Sequence, residues 1–409
     1  MDFIDFTTPS FYDDPYPFYK TLRDEAPFVS LMPNIWVTGR YGVADTVLRD
    51  RRFGHWHQDF VRQRYGEDRE NDPVFRLFYQ MLLMINPPQH THVRAMLMKT
   101  FNAKHTEEFA RHARSVADEL IDSFIDQGSV DLVEAFAWRL PTMVIVKLLG
   151  LDEAETGVSA DQLRILSTPF VRAFEASGMS NREVDEANAS TFEMQAFFQQ
   201  EIDRRRRQPR HDLISQFIAA EENGLRMSDE EIIANIVLLF LAGHETTANM
   251  IGNALVTLYR HSGELARLRR DLSLIRACVI ECLRFESSIQ MAMRDVLEDM
   301  EFEGYRFKRG DSIFLCLGAA NRDPAHFSEP DTFRIDRPDV DARQLINFGG
   351  GAHYCLGARL STIELEVAIG ALFERLPDLR IDNFDQVTWR ASNTLRGVES
   401  LHGAWSRHP

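Results

Sequence analysis

Cysteine is scarce in this 409-residue chain, and its four cysteines lack the spacing of a structural site. No two of them are separated by two residues, as a zinc site or a redox motif would require, and nothing indicates a disulfide framework. Cys278 and Cys282 lie four residues apart in a helical pattern, which is typical of small core side chains in a reducing compartment. The sequence therefore predicts neither disulfides nor zinc.

Long apolar runs and leader segments are also lacking. The longest apolar run, residues 236–242, is far shorter than the ~20 residues that cross a bilayer as a helix. The N-terminal segment has no basic stretch followed by an apolar one, so we expect no signal peptide. These observations favour a cytoplasmic protein that does not bind a membrane.

Basic residues are too few to predict a nucleic-acid surface. The chain has 46 Lys and Arg against 62 Asp and Glu, a net charge of −16, whereas binding to phosphates needs a basic face. Hydrophobic residues at 44% and charged residues at 26% are ordinary for a folded protein. Because no repeat or low-complexity linker divides the chain, we expect one domain over residues 1–409.

Helical periodicity dominates the segments that remain. Apolar positions recur at three- and four-residue steps over residues 103–126, 132–150, 185–207, 211–224, 228–260, 263–285 and 356–375. The regions that we expect to be β-rich are approximately residues 28–45, 298–320 and 385–405, with a hairpin signal at 308–311. The prediction is a mainly α fold with small β sheets.

Residues 228–260 predict the longest helix. Ser228 and Glu231 form a capping box at its start, and about 33 residues at 1.5 Å each give a rod of roughly 50 Å. Its centre is apolar on all sides, which predicts a helix that runs through the core. Residues 243–247, Gly-His-Glu-Thr-Thr, interrupt it. Buried polar groups cost free energy unless they have partners or a function.

The composition of this interruption predicts a bend in the helix with a groove beside it. Thr246 lies four residues after Ala242, so its hydroxyl can bond back to that carbonyl and bend the helix. Gly243 removes a side chain beside the gap, where a small ligand such as dioxygen could sit over a metal. Glu245 supplies a titratable group for proton delivery. The alternative is a kinked core helix in which His244 and Glu245 are solvated.

A glycine-rich segment precedes the last long predicted helix. Residues 347–359 read Asn-Phe-Gly-Gly-Gly-Ala-His-Tyr-Cys-Leu-Gly-Ala-Arg, and the three glycines let the backbone approach a flat object closely. Cys355 stands at the start of the helix, whose N–H groups and positive end favour a thiolate. A thiolate is the ligand that pushes electron density onto haem iron. The alternative is a glycine-rich loop with an inert buried cysteine.

Two charged pairs occur elsewhere in the chain. Glu281 and Arg284 are three residues apart on one helical face. His90 and Arg94 are four apart after two prolines and could reach one acidic group together. Taken alone, either pair is typical of an ordinary exposed surface.

In this order the four segments resemble the cytochrome P450 family over nearly the whole chain. The family pattern F-x-x-G-x-(H/R)-x-C-x-G is filled by Phe348, Gly351, His353, Cys355 and Gly357. The patterns (A/G)-G-x-(D/E)-T, E-x-x-R and H-x-x-x-R are filled by Ala242, Gly243, Glu245 and Thr246, by Glu281 and Arg284, and by His90 and Arg94. The cysteine pattern is the most specific of the four.

The resemblance implies a long central helix over a buried haem b whose iron is bound by Cys355. It implies catalytic roles for Thr246 and Glu245 in relaying protons to dioxygen. The other cofactor-binding residues that it implies are His90, Arg94, Arg294 and His353 at the haem propionates, Phe348 as a shield of the sulfur, and Gly349, Gly357 and Ala242. It also implies a buried ionic cluster of Glu281 and Arg284, completed by Arg337 or, as the second choice, Arg334.

Some positions depart from the commonest bacterial pattern. Asn86 and His92 stand where an aspartate and an arginine are frequent, and Ser287-Ser288 replaces a proline-containing pair. None of these is a residue to which the resemblance gives a role at the ligand or in the acid–alcohol pair. They affect the expected geometry of loops near the substrate.

The resemblance implies a monooxygenase that hydroxylates or epoxidises a medium-sized apolar substrate in secondary or lipid metabolism. Electrons are expected from a ferredoxin and its reductase, because the chain has no flavin or iron–sulfur segment. The docking surface is expected near Arg94, Lys99, Lys104 and Arg359. The alternatives are a peroxide-driven haem enzyme and a haem-binding sensor without turnover.

Overall fold

The computed structural model describes residues 3–55, 57–99, 103–175, 178–222, 224–338 and 340–406. The chain forms two compact units. The first contains Met1–Phe53, Glu107–Pro141 and Glu245–Pro409, and the second contains Gly54–Thr106 and Thr142–His244. Helices Ala103–Phe124, Arg139–Leu148 and Asp229–Arg260 have residues in both units.

Helices account for most of the described residues, as the periodicity predicts. They lie at Pro9–Asp13, Tyr16–Glu25, Tyr41–Arg49, His57–Tyr65, Pro73–Phe78, Gln89–Met98, Ala103–Phe124, Arg139–Leu148, Glu153–Thr156, Ala160–Val171, Asn181–Arg207, Leu213–Ala219, Asp229–Arg260, Ser262–Arg270, Ile275–Phe285, Leu317–Ala320 and Ala358–Arg375. Short 3₁₀ or π segments are Phe3–Thr7, Ile125–Gln127, Val133–Ala137, Arg172–Phe174, Leu272–Leu274, Ile346–Phe348 and Gly351–His353.

Two predicted helices are shorter than the periodicity suggests. The helix expected at 211–224 ends at Ala219, because the chain turns into a hairpin of Glu221–Glu222 with Leu225–Arg226. The helix expected at 263–285 divides at Asp271, whose side chain accepts the N–H of Ser273 and caps the next turn. An aspartate that can bond local backbone competes with helix propagation, which apolar spacing alone does not reveal.

A five-stranded sheet lies in the first unit, with a short edge strand that reaches the unit boundary. Its spatial order is Val29–Met32, Ile35–Thr38, Ser312–Cys316, Met291–Val296 and Phe53–Gly54. Ser312–Cys316 runs parallel to Ile35–Thr38 and antiparallel to Met291–Val296. All five residues of Ser312–Cys316 are buried, as expected of a central strand. A second sheet has the order Arg380–Ile381, His402–Ala404 and Ser129–Asp131.

The hairpin signal at 308–311 is wrong in its position. The tight hairpin pairs Met300–Phe302 with Tyr305–Phe307 through Glu303 and Gly304, which have φ values of 51° and 79°. Positive φ at both central residues matches the twist of the flanking strands. Residues 308–311 form a separate turn, closed by the N–H of Asp311 on the carbonyl of Lys308, that leads into the five-stranded sheet.

The long helix Asp229–Arg260 begins with the predicted capping box. The N–H of Glu231 donates to Ser228 Oγ at 3.2 Å, and the N–H of Ser228 donates to Glu231 Oε2 at 3.0 Å. Among the described residues it alone is long and apolar enough to cross a membrane, and 72% of its most apolar window is buried inside the protein. A buried core helix passes the same test, so its length and composition are weak evidence of a membrane span.

The predicted ionic cluster is confirmed in the first unit. Arg284 donates through Nε and Nη2 to the two carboxylate oxygens of Glu281 at 2.7 and 2.8 Å. Arg337 Nε donates to Glu281 Oε1 at 2.9 Å, so the first choice of partner is correct. Arg334 contributes its backbone N–H, and its side chain pairs with Glu329. The cluster attaches residues 321–337 to helix Ile275–Phe285 through further bonds from both arginines to backbone carbonyls.

In the second unit, helix Asn181–Arg207 packs against Ala160–Val171, Leu213–Ala219 and Pro73–Phe78. Arg205 near its end is buried and pairs with Glu201 and Asp212. Arg206 pairs with Asp229. The basic run at the end of this helix is therefore largely neutralised by neighbouring acids.

Candidate functional site

The glycine-rich segment turns sharply before it presents Cys355. Its 3₁₀ turns are Ile346–Phe348 and Gly351–His353, and the N–H of Cys355 donates to the carbonyl of half-buried Phe348 at 2.8 Å. Gly357 is the N-cap of the 18-residue helix Ala358–Arg375. Cys355 is exposed, whereas Cys278, Cys282 and Cys316 are buried. The alternative of a buried cysteine is therefore wrong, and Cys355 is exposed two residues before the N-cap of a helix, where the positive helix end favours a thiolate.

Two of the three glycines have a packing role that the sequence did not indicate. A Cβ on Gly351 would lie 2.6 Å from the carbonyl oxygen of Leu48, and the residue has φ +60°. A Cβ on Gly350 would lie 3.1 Å from Leu48 Cβ. These glycines let the segment pack against the end of helix Tyr41–Arg49. The expectation that they serve the approach to a flat group stays a prediction.

Glu245 is buried and ion-paired, so the alternative of a solvated Glu245 and His244 is wrong. Its side chain is 8% exposed, and Arg390 Nη1 lies 2.9 Å from its Oε1. His244 is 1% exposed, and its Nδ1 lies 2.6 Å from the carbonyl oxygen of Phe240. Thr247 Oγ1 lies 3.3 Å from Ser361 Oγ. The polar residues of the helix therefore have protein partners inside the core.

The face of the long helix that contains Thr246 is the accessible one. Ala242 is exposed and Thr246 is half-buried, while Leu241, Glu245 and Thr247 between and beside them are buried. Positions four apart share one face of a helix. The predicted bond from Thr246 to the Ala242 carbonyl stays a prediction. A Cβ on Gly243 would meet Ile145 at 3.6 Å, an ordinary contact, so packing does not require glycine there.

Arg294 is a buried cation that forms no salt bridge within the described residues, although the adjacent Asp295 carboxylate partly offsets the effect of burial on its pKa. It lies in strand Met291–Val296, is 5% exposed, and donates through Nη1 to the carbonyl of Met293 at 2.8 Å. Burial lowers the pKa of its guanidinium to about 10. A buried charge is costly unless an opposite charge compensates it. Arg294 is therefore suited to an anionic group of a ligand.

The other sequence-predicted residues lie in two places. His353 is half-buried, two residues before Cys355 in the first unit. His90 is 2% exposed and Arg94 is half-buried, one turn apart on helix Gln89–Met98 of the second unit. Gly349 has φ +73°, and a Cβ on Gly357 would meet nothing within 4 Å, so the space beside this residue is open.

These residues fit a haem better than a bare metal ion. No group of three or more His, Cys, Asp or Glu side chains is arranged to hold a metal in the described part of the chain. The site instead offers one accessible thiol beside an open glycine, and a buried arginine suited to an acid. A single protein ligand suffices when a macrocycle already binds the metal.

Comparison with known proteins decides the family. The family model described as Cytochrome P450 matches residues 54–377. The chain belongs to the cytochrome P450 family. It is a haem-dependent P450 monooxygenase that acts on small molecules with redox partners, and the P450 fold is confirmed.

Relatives of this P450 cover nearly all of its length. A protein of Xylella fastidiosa strain 9a5c that carries the name cytochrome P450 133B1 is 43% identical over 401 residues, which is 98% of each chain. The structure of P450BioI in complex with acyl carrier protein ligated to hexadec-9Z-enoic acid has a TM-score of 0.89 and 29% identity, covering 97% of this chain and 99% of that one. The myxobacterial CYP267B1 in complex with myristic acid has a TM-score of 0.87 and 33% identity, covering 99% and 100%.

The expected electron-donor surface is partly neutralised. Lys99 Nζ lies 2.7 Å from Glu222 Oε2 and also donates to the carbonyl of Glu221. Arg359 is exposed on helix Ala358–Arg375. The side chain of Lys104 lies outside the described residues. Lys99 is therefore a weaker candidate for donor binding than its charge suggests.

Sequence reasoning did not find Arg390, which pairs with Glu245, or Asn249 and Gly397, which contact that arginine. Arg390 is 145 residues from Glu245 along the chain, so no motif spacing connects them. The one available signal was the physical requirement that a buried carboxylate find a partner.

Proposed function

We propose that this P450 inserts one atom of dioxygen into a medium-sized apolar substrate by hydroxylation or epoxidation, releasing the other atom as water. Electrons come from a ferredoxin and its reductase, and the enzyme works in the cytoplasm. The observation that carries the proposal is the accessible Cys355 beside the start of helix Ala358–Arg375. The net charge of −16 supports the absence of nucleic acid as a partner.

Haem b is the proposed cofactor, and it supplies the activation of dioxygen when bound. Cys355 binds its iron, and the accessible sulfur supports this role. Arg294 and His353, with His90 and Arg94, bind its propionates, which would compensate the buried charge of Arg294. Phe348 shields the sulfur, and Gly349, Gly357 and Ala242 leave room for the cofactor.

Glu245 and Thr246 are proposed to move protons to dioxygen. Glu245 is buried at an ion pair, and the neighbouring Thr246 lies on the accessible face of the helix. A positioned acid contributes roughly 10²–10⁴-fold in rate. Glu245 itself is buried together with its neighbours His244 and Thr247, so the carboxylate is held at a defined position beside the accessible threonine.

Long-chain fatty acids are the substrates that we would screen first. Two solved relatives contain a hexadec-9Z-enoyl group on a carrier protein and myristic acid. From its position in the family fold, we place segment 75–84 near the substrate. It includes the buried apolar residues Phe75, Leu77, Phe78, Met81 and Leu82. Leu, Met and Phe side chains suit an apolar and adaptable pocket.

The absorption spectrum of the reduced protein under carbon monoxide tests the cofactor assignment. We expect a strongly red-shifted main haem band in the parent, lost in Cys355→Ala and kept in the matched control Cys316→Ala, whose cysteine is buried in a central strand. A band typical of histidine-ligated haem in the folded parent would refute thiolate ligation and favour the sensor. Absence of haem would remove the proposal.

Coupling of electron use to product distinguishes the ferredoxin-dependent reaction from a peroxide-driven one. Thr246→Ala should lower the product formed per NADH about tenfold or more, because a proton-transfer group is lost. The control is Thr257→Ala on the same helix, where Thr257 is 3% exposed and its hydroxyl bonds the carbonyl of Asn253. Equal coupling in both variants, with product formed from peroxide alone, would favour the peroxide-driven enzyme.

A further inference from the structure

An arginine that is distant in sequence binds the proposed proton-delivering carboxylate. Arg390 Nη1 donates to Glu245 Oε1 at 2.9 Å and to Asn249 Oδ1 at 3.4 Å. Asn249 in turn donates through Nδ2 to the backbone carbonyl of Glu245 at 2.9 Å. One guanidinium nitrogen therefore connects two residues that lie one turn apart on the long helix.

The C-terminal segment holds Arg390 in place. Its N–H donates to the carbonyl of Gly397 at 2.9 Å, and the adjacent pair Trp389 and Val398 forms an antiparallel bridge. The guanidinium carbon lies 5.1 Å from the ring centroid of Trp138, a favourable position for a cation over an aromatic ring. Backbone pairing and ring contact together restrict the rotamers available to this arginine.

Two glycines bring this segment directly onto the long helix. A Cβ on Gly397 would lie 1.9 Å from Asn249 Oδ1, a separation that real atoms do not adopt. A Cβ on Gly252 would lie 2.8 Å from Val398 Cγ2. The approach fixes Arg390 relative to Glu245, because neither segment can move away without losing these contacts.

Exposure differs across the pair in a way that matters for proton movement. The Glu245 side chain is 8% exposed, and that of Arg390 is 33% exposed. The pair therefore extends from the buried helix to a solvent-accessible edge. Buried ion pairs are weak evidence of stabilisation, because desolvation offsets their attraction. A contribution to positioning explains better why the fold delivers an arginine to this carboxylate.

We propose that Arg390 is the positioning residue for proton delivery: it holds the Glu245 carboxylate in the orientation from which protons reach Thr246. This inference rests on the proposed function of Glu245 and Thr246. It extends that function by naming a residue outside the family motif that acts through the acid without touching substrate or cofactor.

The experiment uses the haem-containing enzyme with a surrogate ferredoxin and reductase, and compares Arg390→Gln, Arg390→Lys, Glu245→Gln and the Arg390→Gln/Glu245→Gln double variant. Product per NADH and the solvent deuterium isotope effect are measured with myristic acid as the first substrate probe. We expect Arg390→Gln to lower coupling about tenfold, since small displacements of a reacting group cost up to about 10²-fold. Its substrate Kd should stay unchanged, and the isotope effect should rise.

The conservative and double variants separate positioning from general damage. Arg390→Lys should recover part of the coupling. A lysine ammonium can donate to Glu245 Oε1 and Asn249 Oδ1, but it lacks the planar geometry of the guanidinium. The double variant should be no worse than Glu245→Gln, because Arg390 acts through that carboxylate. In urea unfolding, the double variant should lose less free energy of unfolding than the sum of the losses in the two single variants. The matched control is Arg380→Gln, which removes an exposed arginine of the same C-terminal region.

The outcomes distinguish this inference from the function on which it rests. If the carbon monoxide spectrum shows thiolate-ligated haem and Glu245→Gln uncouples, but Arg390→Gln behaves like Arg380→Gln, the positioning role is refuted and the function stands. Multiplicative effects in the double variant would also refute it. If the parent shows no thiolate-ligated haem, the function and this inference fall together.

Discussion

The buried carboxylate of Glu281 is the position where a single atom-for-atom change should cost most. It accepts two hydrogen bonds from Arg284, one from Arg337 Nε and one from the N–H of Arg334 at 3.1 Å. The side chains of Arg284 and Arg337 are 0% and 2% exposed. Glu281→Gln keeps the shape but leaves two buried cations without their counterion.

The magnitude follows from that loss of compensation. Removal of one partner from a buried ionic cluster costs about 3–5 kcal/mol, and domains are stable by only about 5–15 kcal/mol. The side-chain NH2 of Gln would also face guanidinium N–H groups, which are donors themselves, so one of the two acceptor oxygens is lost along with the charge. Arg284 uses its remaining donors on the carbonyls of Asn321, Pro330 and Thr332. The loss of stability should therefore appear first as disorder of residues 321–337, which Arg284 attaches to its helix.

Urea unfolding of the haem-containing protein, followed by tryptophan fluorescence, measures the effect. The matched control is Glu329→Gln, which removes a carboxylate that is 66% exposed and pairs with Arg334 at 3.2 Å. An exposed pair contributes about 0–1 kcal/mol. Hydrogen exchange across residues 321–337 should quicken in Glu281→Gln alone. A free energy of unfolding within about 1 kcal/mol of the parent would refute the view that buried charge determines the cost.

Two further predictions concern other buried positions. Gly397→Ala should destabilise the protein by about 1–3 kcal/mol, because its Cβ would collide with Asn249. The control is Gly370→Ala, where nothing lies within 4 Å, and it should stabilise its helix by about 1 kcal/mol. Equal urea midpoints for the two variants would refute the steric reasoning. Burial raises the pKa of Glu364 from 4.5 to about 8. Between these values the unfolded chain releases a proton that the folded chain keeps, so stability falls as pH rises. Glu364→Gln removes this titrating group. Its free energy of unfolding, measured by urea titration, should exceed that of the parent by an amount that grows from pH 5 to pH 8 and reaches a few kcal/mol. Parallel pH profiles of the two proteins would contradict this prediction.

Helices with strong periodicity were predictable because burial of one face dictates the spacing of apolar residues. The bounds of Asp229–Arg260 and Ala358–Arg375 agree with prediction to within two residues. Breaks at Asp271 and Ala219 were not predictable in this way, since local side-chain capping and a short hairpin decide them. The short helix Tyr41–Arg49 was also not predicted, because a few turns hold too few apolar positions to show a period.

Candidate site residues could be located in the sequence where chemistry fixes a local spacing, and their roles stay predictions. The accessible Cys355 and the buried Glu245 lie in contiguous motifs, so their neighbours along the chain define them. Partners from distant segments have no such spacing. The role of Gly350 and Gly351 in packing against Leu48 is another such case, because the contact joins residues about 300 positions apart.

The polar residues in the core of the long helix connect these two kinds of information. Sequence alone shows that they must have partners or a function, because isolated burial is costly. His244 lies within hydrogen-bond distance of a carbonyl of its own helix, and Thr247 lies within hydrogen-bond distance of Ser361. Glu245 pairs with Arg390, which lies in a separate segment that packs closely on the helix through Gly397. Stability does not require that arrangement, since apolar residues would fill the same space at less cost in desolvation. A buried carboxylate that is paired with an arginine, next to the threonine on the helix's accessible face, is the arrangement expected if Glu245 and Thr246 transfer protons as proposed.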